Sequence, residues 1–173
     1  LRLAAAEADG VILNWLAADD VAQALAELTG RGPDFEVVAR IFVCPTEDAG
    51  YARTLGRRLI TSYLTVPAYA EFHRWLGRED VLGPVWAAWA AGDRRAAAAA
   101  VPDEVVDALI LHGSPEHCRD QVRRYADAGV DVPVLALLPT PEVTAGGAAA
   151  LGELISRLGP PSAVDAGRPA ERG

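Results

Sequence analysis

Three apolar, β-branched runs are spaced along the chain with helix-forming sequence between them: Val11 to Leu16, Phe35 to Cys44 and Val130 to Leu138. Each is a nearly continuous hydrophobic run rather than an alternating one, as expected of a strand buried on both faces. Strands separated by helices pair in parallel through right-handed crossovers. The order reads helix, strand, helix, strand, a long helical block, helix, strand, helix. Each of the three strands wants neighbours on both sides, and three cannot close a barrel of eight. The expectation is therefore the last strands of a larger parallel sheet or barrel.

The start of the chain points the same way. The sequence contains no Met, and Leu1 to Ala8 reads as a helix with no capping residue before it. The opening lacks the basic-then-apolar layout of a signal peptide. A chain cut from something longer is the plainest expectation.

Punctuation sets the remaining elements. Asp9-Gly10 is a turn pair, Asp19 or Asp20 can cap a helix over 21–29, and the 30–34 segment breaks it. Pro45 ends the second strand, and Thr46 is expected to cap a helix reaching about Thr65, which Pro67 ends or kinks. An aromatic-rich helical stretch follows, then short helices over 93–100 and from Pro102 through Leu111. Ser114-Pro115-Glu116 is the clearest helix start, and Gly129 the expected stop. A last helix covers 143–158. The expected organisation is one unit over 1–158 with a helical insertion at about 46–111, and a disordered tail over 159–173 rich in Pro, Gly, Ala and Arg.

Composition excludes several classes of function. Alanine makes up about a fifth of the chain, and the formal charge is −8 with 16 basic residues, all Arg. An acidic chain without a basic run is a poor nucleic-acid binder. No unbroken apolar stretch approaches the ~20 residues of a membrane helix. Cys44 and Cys118 make neither a disulfide scaffold nor a zinc motif and read as small buried hydrophobes, in a cytoplasmic setting. No metal site, Gly-rich phosphate loop, paired-carboxylate site or Ser–His–Asp signature stands out.

The segment Ala8-Asp9-Gly10-Val11-Ile12-Leu13-Asn14-Trp15, and the later His112-Gly113-Ser114-Pro115-Glu116-His117-Cys118 followed by Asp127-Ala128-Gly129-Val130, resemble the C-terminal half of the bacterial luciferase-like oxidoreductases. The intervening Tyr63-Leu64-Thr65-Val66-Pro67-Ala68-Tyr69 block resembles the branch that uses the deazaflavin coenzyme F420. The resemblance covers roughly 1–139. It implies the C-terminal part of a (β/α)8 TIM barrel, about three β/α units plus the insertion, with these strands as the sixth, seventh and eighth. It implies hydride transfer between F420 and a small organic substrate, with an FMN-dependent monooxygenase as the alternative. It also implies that about half of an active site lies here, inactive by itself.

Barrel chemistry sits at the C-terminal ends of strands. That rule selects Asn14 and Trp15 as candidate cofactor-binding residues: Trp15 to wall a flat ring, or only to pack the core, and Asn14 to bond a carbonyl. Gly113 and Ser114 at a helix start could hold an anion or be an ordinary cap. His112 could move a proton or simply face solvent. Arg40, mid-strand, reads first as half of an interior ion pair and second as a substrate contact. Tyr63 and Tyr69, with Trp75 and Trp86, could form a lid, or a core or homodimer contact. No residue emerges as a catalytic acid or base. A reading of another class is a non-catalytic helical αβ module that binds a partner through the aromatic block. The first reading predicts an exposed edge on the first strand and an aggregation-prone product; the second predicts a soluble monomer that melts cooperatively, and a denaturation profile with light scattering separates them.

Overall fold

A computed structural model of the chain describes residues 1–159. Its elements in order are α1 (Arg2–Glu7), β1 (Gly10–Asn14), a 3-10 turn (Ala18–Asp20), α2 (Val21–Ala26), β2 (Glu36–Cys44), α3 (Ala49–Leu64), α4 (Pro67–Trp75), α5 (Glu79–Ala90), α6 (Arg94–Ala99), α7 (Asp103–Leu109), β3 (Ile110–His112), α8 (Pro115–Asp127), β4 (Val132–Leu137) and α9 (Pro141–Leu158). The tail expected beyond 159 lies outside the described residues.

All strand pairs are parallel, and β2 is common to all of them. β1 pairs with 36–40 of β2 and β3 with 42–44, whereas β4 pairs with 38–43. A strand has two edges, so β1 and β3 follow each other along one edge and β4 takes the other. β3 corrects the sequence reading, which ran a helix through Leu111. The helix stops at Leu109 because Ile110 turns to extended backbone and joins Phe42 in the sheet.

Side chains alternate across a parallel sheet, and register fixes which ones share a face. Leu13, Val37, Ala39, Ile41, Val43 and Leu111 face α2, α8 and α9 in one buried cluster. The other face carries Ile12, Val38, Arg40, Phe42, Val132, Val134 and Ala136. Its upper part is covered by the helical block, with Phe42 and Cys44 packed against Ile60, Leu64 and Leu82. Its lower part is bare: Ile12 is 73% exposed, Val134 46% and Val132 37%. The expectation of strands buried on both faces therefore fails for β1 and β4. Within these residues helices cover one face, and nothing described covers the lower half of the other.

The caps follow local chemistry. Asp48, not Thr46, caps α3 by accepting from Tyr51 N at 2.9 Å, while Thr46 Oγ1 accepts from Asp48 N. Ser114 caps α8, Pro115 opens it, and Gly129 at φ +107° follows its end, as the sequence predicts. α3 and α7 approach closely at Gly56, where a Cβ would stand 2.5 Å from Val106 Cγ1. Gly56→Ala is expected to destabilise the protein by about 1–3 kcal/mol through overpacking. Val106→Ala in the same chain should recover part of that loss in urea denaturation; an unchanged midpoint for Gly56→Ala would refute the close approach.

Candidate functional site

The C-terminal ends of β1 and β2 meet the helical block around an aromatic cluster. Trp15 stacks on Phe42 with ring centroids 4.1 Å apart, Tyr63 tilts against Trp15 at 5.0 Å, and Tyr69 meets Tyr63 edge-on at 6.2 Å. Asn14 Nδ2 donates to Tyr69 Oη at 3.2 Å, and Asn14 Oδ1 is buried with no partner. Four of the residues selected from sequence thus come together: Asn14, Trp15, Tyr63 and Tyr69.

Of the two roles the sequence allows Trp15, ring wall or core packing, the described residues show the ring packed in the core. Trp15 lies one residue beyond β1, is 1% exposed, and has φ +55°, the one non-glycine positive φ among the described residues. A bulky residue in that region carries strain on the order of 1–3 kcal/mol, so its surroundings must hold it. They do so through groups the sequence did not single out. Asp20 Oδ2 accepts from Ala17 N at 2.7 Å, and both Asp20 oxygens accept from Arg78 Nη2 at 2.9 Å. Tyr125 Oη donates to the Leu16 carbonyl at 3.0 Å, and burial raises its hydroxyl above the ordinary range. The only sequence signal for Asp20 was its capping potential. Arg78 and Tyr125 lie 58 and 105 residues further along, and nothing local marks them.

His73 is fully buried under this turn, and neither ring nitrogen completes a hydrogen bond. Burial pushes its pKa down to about 4, Arg78 adds to the depression, and the Trp15 backbone opposes it.

Arg40 lies on the open sheet face. The interior ion pair expected for it is not formed with any described residue. Its guanidinium rests on the Phe42 ring, 4.7 Å from the centroid. Glu36, two pleats down the same face, is exposed.

His112, Gly113 and Ser114 line other clefts. His112 Nε2 meets Asp107 Oδ1 at 2.9 Å, and the Asp107 carboxyl is held below its usual range first by Arg53 and then by His112. This pair borders a cleft of about 520 Å³ with His117, Asp120, Gln121 and Arg124. Gly113 and Ser114 border another, of about 410 Å³, shared with Glu47, Asp48 and Glu142. Those three carboxylates repel an anion there, and Arg157 is already committed to Glu116 at 2.9 Å. Neither cleft includes Asn14, Trp15 or Arg40. Trp86 donates Nε1 to the Leu64 carbonyl at 2.9 Å, and Trp75 stacks on Phe72, so both brace the helical block. Burial pushes the Cys44 and Cys118 thiols up to about 11 and 12, which keeps them protonated and unreactive at neutral pH. Among the described residues no cluster of His, Cys, Asp and Glu could hold a metal, and no helix is long and apolar enough to cross a membrane.

A model of the family described as luciferase-like monooxygenase matches residues 1–132. Among solved structures the chain is similar to the coenzyme F420-dependent tetrahydromethanopterin reductase from Methanopyrus kandleri, with a TM-score of 0.65 and 19% identity. That match covers 89% of this chain and 45% of the other, so the chain spans less than half the length of that relative. No curated protein matches the sequence.

Two outcomes follow from the site. Arg78→Met leaves Asp20 buried without its counter-charge and is expected to cost about 3–5 kcal/mol, read by denaturant unfolding; a loss below 1 kcal/mol would remove the ion pair from its anchoring role. His73 has a folded pKa below its unfolded value of 6.5. Its contribution is therefore complete above pH 6.5 and is lost as pH falls toward 4, by about 3 kcal/mol in all. His73→Leu should flatten the stability profile in that window, whereas an unchanged slope would show that His73 does not titrate there.

Proposed function

The chain belongs to the luciferase-like monooxygenase family, and from that premise we propose that it supplies one side of a coenzyme pocket in an oxidoreductase using deazaflavin F420. The observation that carries this is the aromatic cluster at the C-terminal ends of β1 and β2, placed where the covered and bare parts of the sheet meet. Parallel α/β folds of this kind place their chemistry at those strand ends. The F420 dependence named for the Methanopyrus reductase, together with the Tyr63 to Tyr69 block, favours deazaflavin over FMN.

The residues present fit a flat ring with a polar edge. Asn14 Oδ1 is an acceptor in want of a donor, and the buried Phe42 and Trp15 rings stack beside it as an aromatic base. A bound deazaflavin supplies hydride transfer to or from a small organic substrate. The chain's own part is to orient the ring: Asn14 bonds its edge, Tyr69 holds the Asn14 amide, and Tyr63 with the helical block excludes water from one side. The bare half of the sheet is the interior face of a barrel whose other strands complete the pocket, and the protein works in the cytoplasm on that small substrate, alone or as a homodimer.

Titration of the purified chain with F420 and with FMN, followed by tryptophan fluorescence, tests this reading. F420 is expected to quench at lower concentration than FMN. Preference for FMN would move the assignment to a flavin monooxygenase, and no response to either would remove the coenzyme pocket from these residues.

A further inference from the structure

The helix-covered side of β4 carries an apolar groove of about 350 Å³. Pro133 and Leu135 line it from β4; they are register partners of Ala39 and Ile41, so they lie on the sheet face opposite the bare one. Val122 and Ala126, neighbours on one face of α8, line it from a second side, and Leu158 with Gly159 from the end of α9. Its polar members are Arg119 and Arg123, which can only donate. Arg123 holds Asp120 at 2.9 Å on the rim. Arg119 Nε is buried without an acceptor, and Nη1 reaches the Arg157 carbonyl only at 3.5 Å. The groove thus offers apolar surface and a guanidinium short of acceptors.

Gly159 itself lines the groove, and the chain leaves α9 there in extended backbone, φ −63° and ψ 165°. A residue before proline takes that conformation, and Pro160-Pro161-Ser162-Ala163 comes next in the sequence. Two prolines bring apolar rings and carbonyl acceptors with no N–H to satisfy. We infer that residues 160–163 of this chain fill the groove, with their apolar groups against Val122, Ala126 and Leu135 and a proline carbonyl accepting from Arg119. The lengths agree. The Arg157 contact puts the end of α9 beside Arg119, and Ala126 lies about 10 Å further along α8. Four residues in polyproline geometry span about 12 Å, which brings Ala163 abreast of Ala126. Fixed proline φ angles also lower the ordering cost of so short a contact. The groove is on the opposite sheet face from Arg40, so this docking is independent of the coenzyme reading.

The test uses the whole 173-residue chain carrying Ala126→Cys and Ala163→Cys, equilibrated in a glutathione redox buffer. The oxidised fraction then reports the effective concentration of the pair. Cys44 and Cys118 are fully buried and stay out of the exchange. The comparison pair is Ser156→Cys with Ala163→Cys, nearer along the chain but outside the groove lining. A docked segment should give the 126–163 pair an effective concentration at least roughly tenfold above the 156–163 pair. Pro160→Lys with Pro161→Lys sets positive charge against Arg119 and apolar surface, and should lower the 126–163 value about tenfold while tryptophan fluorescence stays unchanged. Equal values for the two pairs, or no response to the lysines, would overturn the docking. So would a disulfide that forms between chains instead, which would make a second copy the occupant.

Discussion

The Asp20 carboxylate joins three separate parts of the chain. It accepts from the Ala17 backbone, pairs with Arg78 at the start of α5, and lies near the Tyr125 hydroxyl that holds the Leu16 carbonyl. A buried pair of this kind adds little net stability over an apolar replacement, but losing one partner is costly. Its effect here is geometric. It fixes residues 15–17 in a turn that leaves Trp15 in the left-handed region. Trp15 then stacks on Phe42 and meets Tyr63, and Asn14, one residue earlier, has its amide against Tyr69. Without the anchor, relaxation of Trp15 to ordinary backbone would move the aromatic cluster and the Asn14 amide together.

The second constraint is the uneven covering of the sheet. One face is packed by α2, α8 and α9 along its length, and the other is capped by helices only at its C-terminal end. Apolar side chains at Ile12, Val132 and Val134 stay open to solvent on the lower half. The chain spans 45% of the Methanopyrus reductase. Asn14, Arg40 and Tyr69 stand at the line where capped and bare regions meet. Of these polar groups Arg40 is exposed, whereas Asn14 Oδ1 is buried without a partner.

Much of the fold was legible because its signals are local. The Ser114-Pro115 start, the Gly129 stop and the β2 run follow from caps, backbone freedom and β-branched content. What escaped was set by distant partners. β3 is three residues long and follows a helix with no break in apolar character, so only pairing with Phe42 to Cys44 defines it. Trp15 read as the end of a strand, because nothing local forces a tryptophan into a left-handed turn. Arg40 read as half of an ion pair, since burial was assumed for a strand with one face partly open. The site was legible in part. Asn14, Tyr63 and Tyr69 come together as strand-end and helix positions should, while His112, Gly113 and Ser114 belong to separate clefts.

The central claim is that a coenzyme ring sits where the helical block meets the bare sheet face. Nitrogen–proton correlation spectra of the chain, recorded with and without the deazaflavin ring, test it most directly. The account predicts that shifts concentrate at the Asn14 side-chain amide, the Arg40 Nε–H and the Tyr69 backbone. Shifts concentrated instead at His112, His117 and Gln121, around the cleft between α7 and α8, would place the ligand elsewhere and contradict it.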